Sequence, residues 1–218
     1  MPDFDLENAC RGHENYLIAG VDEAGRGPWA GPVTAAAVIW PPTGPPSEVA
    51  RLIDDSKALS AAKRRVALRE IEQHALIAVG WATVAEIDEH NILAATFMAM
   101  RRAIDAISKQ MGRPIDLALV DGNRAPDLPC TVRTVIKGDA KSYSIAAASI
   151  VAKEVRDRHM AKLALRHPGY GWERNAGYGT AEHRAALTRS GVTLAHRSSF
   201  KPVRARLLAD TITTSQGG

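Results

Sequence analysis

Leu17-Ile18-Ala19-Gly20-Val21-Asp22-Glu23-Ala24-Gly25-Arg26-Gly27-Pro28 is an apolar run that ends in two adjacent carboxylates and a glycine-arginine-glycine turn. Leu17 to Ala24 reads as a buried strand. Neighbouring residues on a strand point to opposite faces, so at most one of Asp22 and Glu23 shares the face of the apolar residues beneath it. A carboxylate on a buried strand is costly unless its charge is compensated, and two together are costlier. A bound cation is the natural compensator. The turn supplies the opposite chemistry. Glycine lets a backbone approach a ligand closely, and the Arg26 guanidinium offers a fork of donors suited to phosphate. Carboxylates for metal beside a loop for phosphate point to metal-assisted phosphodiester chemistry. An Asp-Glu pair on its own would be no more than a strand ending in a polar turn.

Outward from this strand, Val33 to Trp40 reads as a second strand, and Gly25 to Pro32 joins the two as an antiparallel hairpin with a wide turn. Pro41 to Pro46 stops the second strand. Ser60 is an N-cap for a helix to about His74, and Ala75 to Thr83 is a third strand. A long helical pattern over Val84 to Lys109 carries Ile92, Leu93, Thr96, Phe97, Met100 and Ile104 on its apolar face. Asp116 to Gly122 is a short buried strand with an acid at its C-terminal end, and Thr131 to Ile136 is another. Ser142 or Ser144 opens a long helix to about His167, whose Ala146-Ala147-Ala148-Ser149 stretch suits close packing on a sheet. Thr180 caps a helix that ends at Gly191. Hairpin-style strands first and helix-separated strands later argue a mixed sheet flanked by helices.

The bulk properties bound the rest. A chain of 218 residues that is 45% hydrophobic fits one domain, or one with an appendage, able to bury a core built mostly of aliphatic residues. No run approaches the roughly 18 apolar residues of a membrane span. The acidic N-terminus resembles neither a signal nor a transit peptide, so a cytoplasmic protein is expected. Cys10 and Cys130 have no zinc-ligand spacing. The net charge of +4 is concentrated: Arg156 to Arg206 carries many bases and only Asp157, Glu173 and Glu182 as acids. That distribution fits a nucleic-acid enzyme or an ordinary solvated basic surface.

Asp22, Glu23, Asp121 and Asp139 all fall at strand ends or just beyond, and neighbouring strands would bring them to one edge of the sheet. They are the number and type of ligand that two magnesium ions about 4 Å apart would use. Singly, Asp121-Gly122 could be a turn and Asp139 a helix N-terminal acid. Arg26, Lys57 and Lys141 add phosphate chemistry around them. Asp157 reads as a helix-surface ion pair rather than a fifth ligand. Trp29, Trp40, Trp81 and Trp172 read as packing or loop anchors, and His183 and His196 as phosphate-positioning or packing groups.

Val21 to Val33 resembles the signature of type 2 ribonuclease H, bacterial ribonuclease HII. The likeness continues in order through Asp55 to Ser60, Val120 to Gly122, Lys137 to Ser142, Ile145 to Lys153, Arg156-Asp157, His167-Pro168, Gly177 to Thr180, His183 and His196 to Phe200. The resemblance implies an α/β, ribonuclease H-like fold: a mixed five-stranded sheet flanked by helices, with a helical C-terminal region. The implied division is an extension over 1–16, a catalytic domain over 17–167, a substrate-binding helical region over 168–209 and a frayed tail over 210–218. It implies endonucleolytic hydrolysis of RNA in RNA–DNA hybrids and cutting 5′ of single ribonucleotides in duplex DNA, leaving 3′-hydroxyl and 5′-phosphate ends. Asp22, Glu23, Asp121 and Asp139 correspond to the catalytic carboxylates, holding Mg2+ or Mn2+. Gly25, Arg26 and Gly27 correspond to a loop that reads the ribose 2′-hydroxyl. Tyr178 corresponds to a tyrosine that stacks on the following sugar, and Lys57 to a phosphate contact. No sliding-clamp box ends the chain, and a monomer acting on hybrid or ribonucleotide-containing duplex, with no membrane partner, is expected.

Two alternatives compete. A DNA nuclease of the same fold would have no 2′-hydroxyl for Gly25-Arg26-Gly27 and Tyr178 to read. A non-catalytic hybrid-binding module would need the basic third of the chain but not four acids beside bound phosphates.

Overall fold

The computed structural model describes residues 2–53 and 59–216. Its elements run α1 (Asp5–Cys10), β1 (Ile18–Ala24), β2 (Val33–Ile39), α2 (Ser47–Ala50), α3 (Ala61–His74), β3 (Leu76–Ala82), α4 (Val84–Met111), β4 (Leu117–Asp121), β5 (Thr131–Val135), a 3-10 turn at Gly138–Ala140, α5 (Tyr143–Arg166), α6 (Trp172–Asn175), α7 (Ala181–Ser190) and α8 (Lys201–Gln216). The chain divides into two compact units. One comprises Met1–Ala24, Thr34–Trp81 and Thr96–Val155; the other comprises Gly25–Val33, Ala82–Ala95 and Arg156–Gly218. No helix among the described residues is long and apolar enough to cross a membrane.

The first unit is built on a five-stranded sheet in the order β3-β2-β1-β4-β5. β1 pairs antiparallel with β2 and parallel with β4, which is itself parallel to β5. The apolar run Leu17 to Ala24 therefore lies at the centre, where both faces are covered. β2 is buried along its whole length, whereas β5 alternates between exposed and half-buried residues as an edge strand does. The parallel register Val21↔Val120 sets the C-terminal ends of β1 and β4 side by side. Asp22 and Asp121 are the next residues of those two strands.

Helix packing explains the small residues. A Cβ on Gly20 would lie 2.1 Å from the Ser144 carbonyl carbon, so glycine in β1 lets the start of α5 sit directly on the sheet. Ala146, Ala147 and Ala148 of α5 are fully buried with Ala36 and Val38 of β2 and with Leu68 and Ile71 of α3. Gly80 plays the same part in β3, where a Cβ would lie 2.0 Å from the Ala99 carbonyl oxygen of α4. Ser60 caps α3 through Lys63 N–H, as its position in the sequence predicts.

Three local features depart from the expectation. The pattern over Val84 to Lys109 is not one continuous helix: Asn91 sits at φ 71°, and its side-chain oxygen accepts from Leu93 and Ala94 N–H. Asparagine tolerates the left-handed region and makes a good N-cap, so it ends one helical segment and starts the next. The N-terminal extension holds a short helix, α1, whose Glu7 is buried and accepts from Ser142 Oγ–H and Ser144 N–H at the start of α5. Lastly, a further helix, α8, which the sequence pattern does not single out, runs from Lys201 through Gln216. No glycine or proline follows Pro202 until Gly217, so nothing local stops the helix earlier.

Candidate active site

Within the first unit, Asp22, Glu23 and Asp121 gather at the C-terminal ends of the two parallel central strands. Asp22 is buried, 6% exposed, and its Oδ1 accepts from Glu23 N–H. Burial holds its carboxyl well above the ordinary carboxylate range, the neighbouring Glu23 and Asp121 charges push it further, and a hydrogen bond from Ser149 of α5 works against both. Glu23 points to the other face of β1 and is half-buried, as strand alternation requires.

Asp121 is tied to Asp139 by the turn between them in space. Lys137 adopts φ 56°, which swings the chain so that Gly138 N–H donates to Asp121 Oδ1 at 2.7 Å. A Cβ on Gly138 would lie 2.6 Å from Ile145 Cδ1 and 3.3 Å from that same Oδ1. Glycine therefore lets the amide approach the carboxylate without displacing Ile145. Asp139 follows directly, buried on the 3-10 turn. It is the first-turn acid of that short 3-10 helix, the alternative open to it from sequence. Lys141 is exposed just beyond the turn, and its backbone N–H closes the turn on Gly138 O. Lys57 lies outside the described residues.

The donor set fits a hard divalent cation. A buried acid beside two further carboxylates is a place where positive charge removes repulsion. Among the described residues no group of three or more His, Cys, Asp or Glu side chains is drawn together closely enough to hold a metal ion by itself. Magnesium seldom needs such a group, since it keeps several waters and binds through one or two carboxylates together with substrate phosphate.

The second unit contains the Gly25-Arg26-Gly27 loop. Gly25 is buried at φ 96°, while Arg26 and Gly27 are exposed. Two fully buried arginines hold the loop by its carbonyls. Arg197 donates to the carbonyl oxygens of Gly25 at 2.6 Å, Arg26 at 3.0 Å, Gly31 at 2.9 Å and Pro32 at 3.1 Å. Arg156 donates to Ala30, Pro32 and Ala176. Burial lowers the Arg197 pKa to about 9 and the Arg156 pKa to about 10, so both still carry their charge at neutral pH. These two residues belong to the basic stretch that, from sequence, fits either a nucleic-acid footprint or a solvated surface. Their burial removes them from any surface, whereas Arg158, Lys162, Arg166, Arg184, Arg189, Lys201 and Arg204 are exposed.

Tyr178 is 45% exposed, and a Cβ on Gly27 would meet its ring at 3.4 Å. A tyrosine packed away with its hydroxyl capped would not look like this. A histidine relay fixes its backbone. Thr193 N–H donates to His196 Nδ1, so His196 presents its proton from Nε2 to His183 Nε2 at 3.1 Å. Trp172 Nε1–H donates to the same His183 nitrogen, which leaves His183 Nδ1–H to donate to the Tyr178 carbonyl at 3.0 Å. These tautomers follow from the network. Burial, together with the neighbouring His183, lowers the His196 pKa to about 4. A neutral, buried imidazole packs and positions; it does not hold phosphate. Trp172 is buried against Tyr170, while Trp29 lies under the Arg184 guanidinium and against Gly179. Both are anchors.

Comparison with known proteins identifies the family. The family description Ribonuclease HII matches residues 19–203. The ribonuclease HII of Rhodospirillum rubrum is 58% identical over 95% of this chain and 92% of its own, and that of Granulibacter bethesdensis 56% identical over 96% and 92%. Among solved structures, the ribonuclease H2 of Pyrococcus horikoshii superposes with a TM-score of 0.66 at 25% identity, covering 87% of this chain and 96% of that one. The Bst ribonuclease HIII solved with Mn2+ superposes at 0.73 over 89% of this chain and 70% of that one; at 18% identity this is a likeness of fold. With matching family residues running from within β1 to within α8, and relatives more than half identical over nearly the whole length, the chain belongs to the ribonuclease HII family.

Proposed function

We propose that this protein is an endoribonuclease that hydrolyses the RNA strand of RNA–DNA hybrids and cuts on the 5′ side of a single ribonucleotide in duplex DNA. The observation that carries the reading is the glycine loop. The Gly25 and Arg26 carbonyls are turned inward to Arg197. In a planar trans peptide the N–H points opposite to the C=O, so the Arg26 and Gly27 amides are aimed away from the buried guanidinium. Amide donors on an exposed, glycine-flanked turn suit a small hydroxyl, and the 2′-hydroxyl is the group that separates RNA from DNA. A nuclease specific for DNA would have no use for such a reader.

Asp22, Glu23, Asp121 and Asp139 would hold magnesium or manganese. Bound there, the cations would supply the positive charge that activates the attacking water and stabilises the leaving 3′-oxygen. The chain's own contribution is placement. Gly138 N–H orients the Asp121 carboxylate, and Ser149 orients Asp22. Water as nucleophile leaves a 5′-phosphate and a 3′-hydroxyl. The test is incubation with labelled all-DNA, all-RNA and single-ribonucleotide duplexes, with magnesium or with chelator. Metal-dependent cutting at the ribonucleotide is expected, with 3′-hydroxyl ends; cutting of all-DNA duplex would overturn the reading.

Tyr178 would lean on the sugar of the nucleotide after the ribonucleotide, where a deoxyribose fits best. Losing one stacking contact costs on the order of 1–3 kcal/mol. Tyr178→Ala is therefore expected to lower kcat/KM at a single embedded ribonucleotide more than within a long RNA stretch, with Tyr178→Phe milder. An equal loss on both substrates, or a lower melting temperature that accounts for it, would make the residue structural.

A further inference from the structure

We propose that Arg197 is a positioning residue for ribose recognition: it sets which face of the Gly25-Arg26-Gly27 loop presents N–H groups, and it makes no contact with nucleic acid itself. The proposal rests on the reading of that loop given above and adds to it the group that holds the loop in its reading conformation.

The chain supplies this group for a reason. Gly25 to Pro32 crosses the second unit as irregular backbone, with Pro28 and Pro32 lacking N–H donors and no strand ladder of its own. Buried carbonyls in such a segment need donors from elsewhere. Arginine brings five N–H groups in a rigid fork, more than any other side chain. Arg197 directs one guanidinium nitrogen at both Gly25 O and Pro32 O, another at Arg26 O, and Nε at Gly31 O. The two ends of the loop are thus clamped on one planar group. The Arg197 backbone N–H adds a bond to Trp29 O at 2.8 Å. Rotating either the Gly25–Arg26 or the Arg26–Gly27 peptide would hide an amide and strand a carbonyl away from the guanidinium. The fork therefore selects one face of the loop.

Arg197 is itself held from the other side. Asp88 accepts from Ser198 N–H and Oγ–H on one carboxylate oxygen and from Ser199 N–H and Oγ–H on the other, at 2.5–2.9 Å. The Arg197 guanidinium also lies over the Phe200 ring at 5.1 Å. The segment that carries the arginine is consequently fixed by a carboxylate far from the loop in sequence.

The experiment compares binding, in chelator, of an all-DNA duplex and of the same duplex carrying one ribonucleotide, across a range of salt. Arg197→Lys keeps the charge but not the fork. It is expected to narrow the preference for the ribonucleotide duplex about tenfold, near the worth of one backbone hydrogen bond to the sugar, while the salt slope stays that of wild type. Asp88→Asn, at a half-buried position, should narrow it in the same direction by less, and it decides the matter alone if Arg197→Lys does not fold. Equal weakening for both duplexes, with a salt slope lower by about one in Arg197→Gln, which removes the charge, would make Arg197 a phosphate contact. Equal weakening with an unchanged slope would make it a purely structural residue, and no change would make it idle. Each of these overturns the proposal. A wild-type protein with no preference between the duplexes would instead overturn the reading of the loop.

Discussion

Asp121→Asn is expected to lower turnover on hybrid by at least roughly a hundredfold to a thousandfold, the range that follows removal of one preorganised electrostatic contact to a transition state. The fold should survive. The Asn side-chain oxygen can still accept Gly138 N–H, the bond that anchors the turn, so no buried donor is left unpaired. What is lost is charge, and a neutral amide is a poor substitute for a carboxylate toward a hard cation. The variant also relieves Asp22, which Asp121 pushes upward in pKa. A carboxyl whose folded pKa is raised stabilises the fold fully below its unfolded pKa, near 3.8, and that stability is lost as pH rises toward the raised folded value. With one repelling charge gone, metal-free Asp121→Asn should lose less stability over that window than wild type. Wild type should in turn gain more melting temperature from added magnesium or manganese, since a ligand stabilises only through its affinity for the folded state. Wild-type turnover in a folded Asp121→Asn protein, or equal metal-induced shifts in the two, would remove Asp121 from the site.

Much of this site can be read from the residues because its chemistry is unusual. The Asp22-Glu23 pair alone is only a polar strand end, but together with Asp121, Asp139 and the glycine-arginine loop it marks a site, and Ser60 and Thr180 mark their helix starts with the expected capping bonds. The supporting groups are harder to see. Arg156 and Arg197 look like any other bases in a basic stretch, and nothing in a count of charges says that two of them are buried. The available signal lay elsewhere, in a loop rich in glycine and proline whose carbonyls had no evident donors. His183 and His196 posed the same difficulty, since the same imidazole can hold phosphate or pack, and only burial decides. Asn91 shows the limit of periodicity: apolar spacing continues across it, while the backbone breaks at a residue suited both to φ > 0 and to capping.

The two loop glycines should separate folding from recognition. Gly25→Ala places a methyl group at φ 96°, a conformation that costs an L-residue about 1–2 kcal/mol. The new Cβ would also lie 1.9 Å from Arg156 Nε and 2.4 Å from Cδ. Arg156 must then move, and its bonds to the buried Pro32 and Ala30 carbonyls weaken, at about 1–3 kcal/mol for a buried group left unsatisfied. The sum, about 3 kcal/mol, corresponds to a fall in melting temperature of roughly 6–12 °C for a chain of this size. Activity should fall with it. Gly27→Ala is the contrasting case. Its φ lies outside the left-handed region, it is exposed, and its Cβ would meet only the Tyr178 ring, at 3.4 Å. Stability should stay within about 0.5 kcal/mol of wild type, as for an ordinary surface change. The methyl group would nevertheless stand where the ribose must approach the loop amides and the tyrosine. A loss of about tenfold or more in kcat/KM at a single ribonucleotide is expected, the scale of one or two hydrogen bonds to the sugar. Thermal melting and steady-state kinetics on both variants decide the matter. If Gly27→Ala keeps wild-type kinetics while Gly25→Ala loses only what its instability explains, the loop is a turn held by arginines and reads nothing.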